Sequence, residues 1–170
     1  VPQFEFEVMR PTQAHLDDAD EDMAHAVQSV AMMPGSGEDT LATTPLRHYC
    51  GVGQAALANV NTPAGKADFR VATERMMTEL PNLKASSLIV SWFGGDLRCG
   101  ECELRPKVEQ KQHDGTEMPW QVAGLTRAMA EEVPRDGTAR PVYGGTPSDQ
   151  SVIEAITHLH EQGVEVLYYP

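Results

Sequence analysis

P-V-Y-G-G-T-P-S-D-Q-S-V-I-E-A-I-T-H-L-H-E-Q-G-V-E-V-L-Y-Y, residues 141–169, decides the fold class. Pro141 to Tyr143 predict a short strand that stops at Gly144-Gly145. Thr146-Pro147-Ser148-Asp149 then carries the signals of a helix start: a capping hydroxyl, an early proline and an acid where it complements the helix dipole. Val152, Ile153, Ile156 and Leu159 recur at helical spacing and predict the buried stripe. Gly163 ends the helix, and V-E-V-L-Y-Y at 164–169 predicts the next strand. So long a crossover joins parallel strands, almost always with right-handed geometry.

Working outward, S-L-I-V-S-W-F at 87–93 is nearly all apolar, β-branched or aromatic before Gly94-Gly95, the composition of a strand buried on both faces of a parallel sheet. Asn61-Thr62-Pro63 reads as the start of a helix that continues through Phe69, Ala72, Met76 and Leu80 to Pro81. Repeated strand and helix signals predict an α/β domain with 87–93, 141–143 and 164–169 in one parallel sheet. Residues 97–132 read as an excursion of short strands and loops. Upstream, Q-F-E-F-E-V at 3–8 alternates as a half-buried strand. The acidic run at 17–22 reads as a solvated loop, because the ligand spacing and turn glycine of a calcium loop are missing. Met23, Ala26, Val27 and Val30 predict a helix stopped by Pro34-Gly35-Ser36-Gly37. A short strand is expected at 40–44, and the connection at 45–60 marks a boundary between modules.

With 25 acidic against 13 basic side chains in 170 residues, the net charge of −12 disfavours phosphate-driven nucleic-acid binding and attachment to an anionic membrane. No apolar run approaches the ~20 residues of a membrane span, and the first residues do not read as a signal peptide. A first residue other than Met and a last residue directly after an apolar run suggest a segment of a longer chain. Three cysteines predict reduced thiols rather than a disulfide framework.

G-V-G-Q-A-A at 51–56 fits G-x-G-x-x-A, but no convincing strand precedes it and no sustained helix follows, so it reads as a loop rather than a dinucleotide site. Cys99-x-x-Cys102 has half the spacing of a zinc site. Cys50, His48 and His113 do not complete a credible ligand set, so neither metal nor cofactor is expected. His158 and His160, two apart on a helix, do not chelate. Asp96 and Asp149 follow predicted strands, at the end where α/β folds bind ligands, and Trp92 beside Asp96 suits sugar stacking. Asp149 also reads as a first-turn helix acid. Glycoside hydrolysis needs two opposed carboxyls, and no spacing here identifies a pair. Catalytic residues are therefore unassigned.

Three stretches carry a resemblance: S-L-I-V-S-W-F-G-G-D-L-R-C-G-E-C-E-L-R-P-K-V-E at 87–109, W-Q-V-A-G-L-T-R-A at 120–128 and P-V-Y-G-G-T-P-S-D-Q-S-V-I-E-A-I at 141–156. The chain resembles the glycoside-hydrolase TIM-barrel-like domain of the baseplate megatron proteins of gene transfer agents and related tailed phages. P-Q-F-E-F-E-V at 2–8 also looks like the end of the upstream tail-hub-like module. The resemblance implies an α/β fold: a partial TIM-barrel-like (β/α) segment at 46–170, preceded at 1–45 by a short hub-derived strand and helix. A full barrel has about 250 residues and eight strand–helix units, and this chain supplies about three. The implied function is that of a structural component of the tail tip or baseplate, involved in host-envelope attachment or penetration. The alternative is a glycoside hydrolase acting on envelope polysaccharide, with its carboxylates mostly outside this segment. Implied partners are other baseplate and hub proteins, copies arranged around the tail axis and a cell-surface glycan. The implied location is the virion tail tip, assembled in the bacterial cytoplasm. The expected carbohydrate contacts are Trp92, Asp96, Tyr143 and Asp149.

Overall fold

The computed structural model describes residues 23–33, 35–51 and 53–170; the strand expected at 3–8 and the acidic run at 17–22 lie outside the described residues. In chain order come α1 (Met23–Ala26), β1 (Ser29–Met32), the hairpin strands β2 (Arg47–Gly51) and β3 (Gln54–Leu57), α2 (Asp68–Glu79) and β4 (Ala85–Ile89). The excursion carries β5 (Phe93–Gly94), β6 (Leu104–Arg105), β7 (Lys107–Val108), β8 (Gln121–Val122), β9 (Leu125–Thr126) and β10 (Glu131–Glu132). The chain then returns through α3 (Asp149–Glu161) to β11 (Glu165–Tyr169). The fold is mixed α/β with several small sheets, and no closed barrel occurs among the described residues.

β1, β4 and β11 form a parallel sheet in that order. Met32 and Tyr168 both lie opposite Leu88 of the central strand. The parallel pairing of β4 with β11 across a crossover helix agrees with the sequence, but β4 overlaps the predicted strand 87–93 only at 87–89, and Phe93 lies in the separate antiparallel pair of β5 and β6. Four further details differ. The apolar run after Met23 leaves its helix at Ala26, and Val30 lies in β1; short apolar runs fit either period, and pairing with β4 decides between them. Residues 40–44 form turns and bends rather than a strand. Pro141 to Tyr143 contribute only an isolated antiparallel bridge from Pro141 to Arg135, because proline supplies no ladder N–H and the following glycines are drawn to another loop. Residues 62–65 make a separate turn, with Gly65 at φ +66°, so α2 starts at Asp68.

Strand order along the sheet equals chain order, and α2 and α3 lie side by side. Phe69 of α2 and Ala155 and Leu159 of α3 share one buried cluster with Leu41, Leu88, Val90 and Val164. Thr73 and His158 meet at 2.9 Å between the helices. The buried face of α3 is Ser151, Ala155, His158 and Leu159, with Val152 and Ile156 packed at its margin and Ile153 exposed. The buried stripe is thus rotated from the most apolar positions, because Ser151 and Ala155 are small enough for close approach and His158 has Thr73 as a partner. Ser148 accepts the N–H of Ser151 at 3.1 Å and caps the helix, and Gly163 at φ +79° ends it. Both β1 and Leu41 precede residue 45, so the sheet and its core draw on residues either side of the predicted module boundary.

Val108, Trp120, Val122 and Ala130 form a second buried cluster under the excursion. Trp92 packs against both clusters and joins the excursion to the α/β layer.

Candidate functional site

The predicted sugar contacts fall into two places. Trp92 and Asp149 share a groove of ≈ 390 Å³ with Val90, Val122, Ile156 and Tyr168, which gives two aromatic rings and one carboxylate. Tyr143 does not line that groove; it stands edge-on to Phe93, a residue of the groove that holds Asp96, at 6.3 Å, with its hydroxyl 3.5 Å from Ser91 Oγ. Asp96 is elsewhere, on the turn beyond β5, in a shallow polar groove with Glu101, Glu103 and Glu131. Its carboxylate takes the backbone N–H of Arg98 at 2.8 Å and the Arg98 guanidinium at 2.8 and 3.0 Å. Those bonds hold Asp96 below the usual carboxylate range. Asp149 accepts the N–H of Ala123 at 2.9 Å, which pins the β8–β9 turn to the start of α3.

Sequence reasoning missed the most heavily buried charges. The loop after β1 carries Glu38, 5% exposed, into contact with Arg127, 4% exposed, at 2.5 Å. Arg127 also donates to Asp114 at 3.0 Å and to the Gln110 carbonyl at 2.9 Å. Asp114 in turn accepts the N–H of Trp120 at 2.8 Å. Glu38 and Glu109 each accept the other's backbone N–H. Burial pushes the Glu38 carboxyl above its ordinary pKa, opposed by the guanidinium of Arg127. Beside it His48 pairs with Asp39 at 3.2 Å, and this contact raises the imidazole's pKa. Loops following the carboxyl ends of β1 and β4 therefore meet above the sheet, the region where α/β folds place ligand sites.

This junction explains the motifs. A Cβ on Gly144 would lie 1.1 Å from the Ser36 carbonyl oxygen, and one on Gly145 would lie 2.4 Å from Glu38 Cγ, so Y-G-G-T-P admits the Glu38 loop. In W-Q-V-A-G-L-T-R, Trp120 donates to the Thr146 carbonyl at 2.7 Å and Arg127 is the cation just described. In W-F-G-G-D-L-R, Trp92 bridges the two clusters and Asp96 pairs with Arg98. The Gly-Gly pair was the one sequence signal of the junction, since it marks a close backbone approach. Nothing in local periodicity links Glu38 to an arginine 89 residues away.

Contrary to the sequence reading, a strand does precede G-x-G-x-x-A, since Gly51 ends β2; Gly53 lies in the turn, and a second strand rather than a helix follows, so the motif is a hairpin and not a dinucleotide loop. Cys99 is exposed and Cys102 half-buried, both free thiols between β5 and β6. Among the described residues no group of three or more His, Cys, Asp or Glu side chains is placed to hold a metal. No helix among them is long and apolar enough to cross a membrane. Comparison with models of known protein families and with curated protein sequences finds no match to this chain.

Proposed function

We propose that the chain is a structural part of the tail tip or baseplate of a phage-like particle, presenting a partial TIM-barrel-like segment toward a cell-envelope glycan. The supporting observation is the one-sided sheet. β1, β4 and β11 run in chain order with both crossover helices on one face, whereas a doubly wound sheet covers both faces. On the opposite face lie Leu167 and Tyr169, 65% and 60% exposed, together with Ala31, Ser87 and Ile89. This supports the reading of a barrel arc, in which helices lie outside and the partly apolar inner face would meet further strands.

A structural role is favoured over hydrolysis by this segment. Glycosidic cleavage requires a protonated carboxyl and a partner carboxylate across the bond. Asp96 is locked to Arg98 and held in its ionised form, and Asp149 is committed to Ala123 N–H. Trp92, Tyr143 and Tyr168 remain as stacking surfaces for a sugar ring.

Antibody labelling of particles tests the location: label at the tail tip is expected, and absence from purified particles overturns the proposal. Incubation of the chain with cell-envelope glycans tests the chemistry. Retention on the glycan that weakens in Trp92→Ala, without release of reducing ends, is the expected result. Turnover abolished by Asp96→Asn would replace the structural reading with the hydrolytic one.

A further inference from the structure

The largest cavity described, ≈ 740 Å³, lies between the 36–41 loop, the β2–β3 hairpin and the first half of α2, apart from the Trp92 groove. Its size is in the range of small-molecule sites. Phe69, Val71 and Ala72 give it an apolar wall, and the remainder mixes neutral residues with four carboxylates, His48 and Arg75.

Most of those charges are already balanced. Glu38 has Arg127 at 2.5 Å, Asp39 has His48 at 3.2 Å, and Arg75 has Glu79 at 2.6 Å. Glu109 and Asp68 have no ion-pair partner among the described residues. Asp68 accepts only neutral donors, the backbone and side-chain N–H groups of Asn61 at 2.9 and 2.6 Å. Glu109 is held by one oxygen: Oε1 takes the N–H of Glu38 at 3.2 Å and of Gly145 at 3.3 Å. Its Oε2 takes no hydrogen bond among the described residues. Thr62 also lines the cavity, and its Oγ1 is buried with no partner among the described residues, whereas buried polar atoms are normally satisfied.

From this geometry we infer that the cavity binds a small organic cation with an apolar body, its ammonium or guanidinium group on Glu109 Oε2 and its body against Phe69 and Ala72. A fixed, uncompensated carboxylate beside an apolar wall selects for positive charge, because a charge-assisted bond forms without reorganisation. An anionic ligand would meet Glu109 and Asp68, with no unpaired cation among the described residues that line the cavity to receive it. The inference is independent of the tail-tip reading.

Titration of the full chain with 2-phenylethylamine, 2-phenylethanol and 3-phenylpropionate tests it, since these probes share an apolar body and differ in charge. Following Phe69 and Ala72 resonances, the amine is expected to bind at least about tenfold more tightly than the alcohol, the acid weakest. Glu109→Gln keeps an oxygen for the two backbone donors and removes the charge, so amine affinity should fall to that of the alcohol. Should that variant not fold, Asp68→Asn and the salt dependence of amine binding to the unaltered chain provide the readout, both lowering affinity for the amine alone. Equal binding of amine and alcohol, or no shift at Phe69 and Ala72 with any probe, overturns the inference.

Discussion

In the layer made by α2, α3 and the three-stranded sheet, the buried polar groups are neutral: Thr73 meets His158 at 2.9 Å, Ser148 accepts the N–H of Ser151 at 3.1 Å, and Ser86 Oγ and His158 Nδ1 have no partner among the described residues. Between β4 and α3 the chain instead buries charge, with Arg127 shared among Glu38, Asp114 and the Gln110 carbonyl. The first region has a continuous apolar core, so its few buried polar groups need carry no charge. The second has two-residue strands and a small apolar cluster, and long-range ionic contacts join loops that no sheet joins. Regular structure and charge networks are thus alternative ways of fixing a backbone, and this molecule uses one on each side of Trp92.

Removing the cation should break that contrast most severely. Arg127→Met leaves Glu38 buried without its counter-ion and is expected to cost about 3–5 kcal/mol, because a buried charge stripped of its partner keeps the full desolvation penalty. Thr73→Val, which removes a neutral hydroxyl shared among His158 Nε2 and the Phe69 and Arg70 carbonyls, should cost about 1–2 kcal/mol. Urea denaturation midpoints at constant slope give both numbers. The double variant Arg127→Met with Glu38→Gln should recover a large part of the loss, as neither charge then remains unpaired. If Arg127→Met costs no more than Thr73→Val, the excursion does not depend on its ionic centre.

Glycines sharpen the same comparison at smaller amplitude. Gly144→Ala places a methyl group 1.1 Å from the Ser36 carbonyl oxygen, so two backbones must separate; a loss of about 3 kcal/mol is expected, the upper part of the overpacking range. Gly163→Ala meets nothing within 4 Å, and only its φ of +79° resists the change; about 1–2 kcal/mol is expected. Removing the α3 cap by Ser148→Ala should cost about 1 kcal/mol. Thermal melts of the three variants rank these effects, and a Gly144→Ala cost below that of Gly163→Ala would show that the Glu38 loop yields freely.

Legibility followed the same division. The cap at Ser148, the stop at Gly163 and the apolar runs feeding β4 and β11 are local signals, and they could be read from spacing. The parallel pairing followed from them. What failed locally was decided by partners distant in sequence: Val30 lies in a strand because β4 is beside it, and Pro141 to Tyr143 leave the sheet because Gly144 and Gly145 seat the Glu38 loop. Of the candidate site, Trp92 was legible as an aromatic of the run 87–93 and Asp149 as an acid after a predicted strand, and they share a groove, whereas Asp96, read beside Trp92, lies in another. Glu38, Glu109 and Arg127 were not, since a charged residue in a glycine-rich loop has the same sequence appearance whether solvated or buried.

The two histidines give the finest test, because each region tunes one of them and in opposite directions. In the excursion's junction, the hydrogen bond to Asp39 raises His48 above its ordinary value. Its folded pKa exceeds its unfolded one, so its contribution to stability is fully present below about pH 6.5 and is lost as pH rises through the folded value. In the α/β layer, burial lowers His158, and the nearby Arg70 acts in the same direction against the weaker opposing pull of Glu161 and Glu74. There the neutral imidazole is the folded form, and its contribution is complete above about pH 6.5 and lost as pH falls through the folded value. Urea midpoints for the chain, His48→Gln and His158→Gln at pH 5.5 and 8.5 separate the two. The stability lost in His48→Gln should be larger at the acid pH, and that lost in His158→Gln larger at the alkaline pH. Losses with the same pH dependence would mean that both imidazoles sit in one kind of environment, removing the distinction between charged and neutral burial at the level of single side chains.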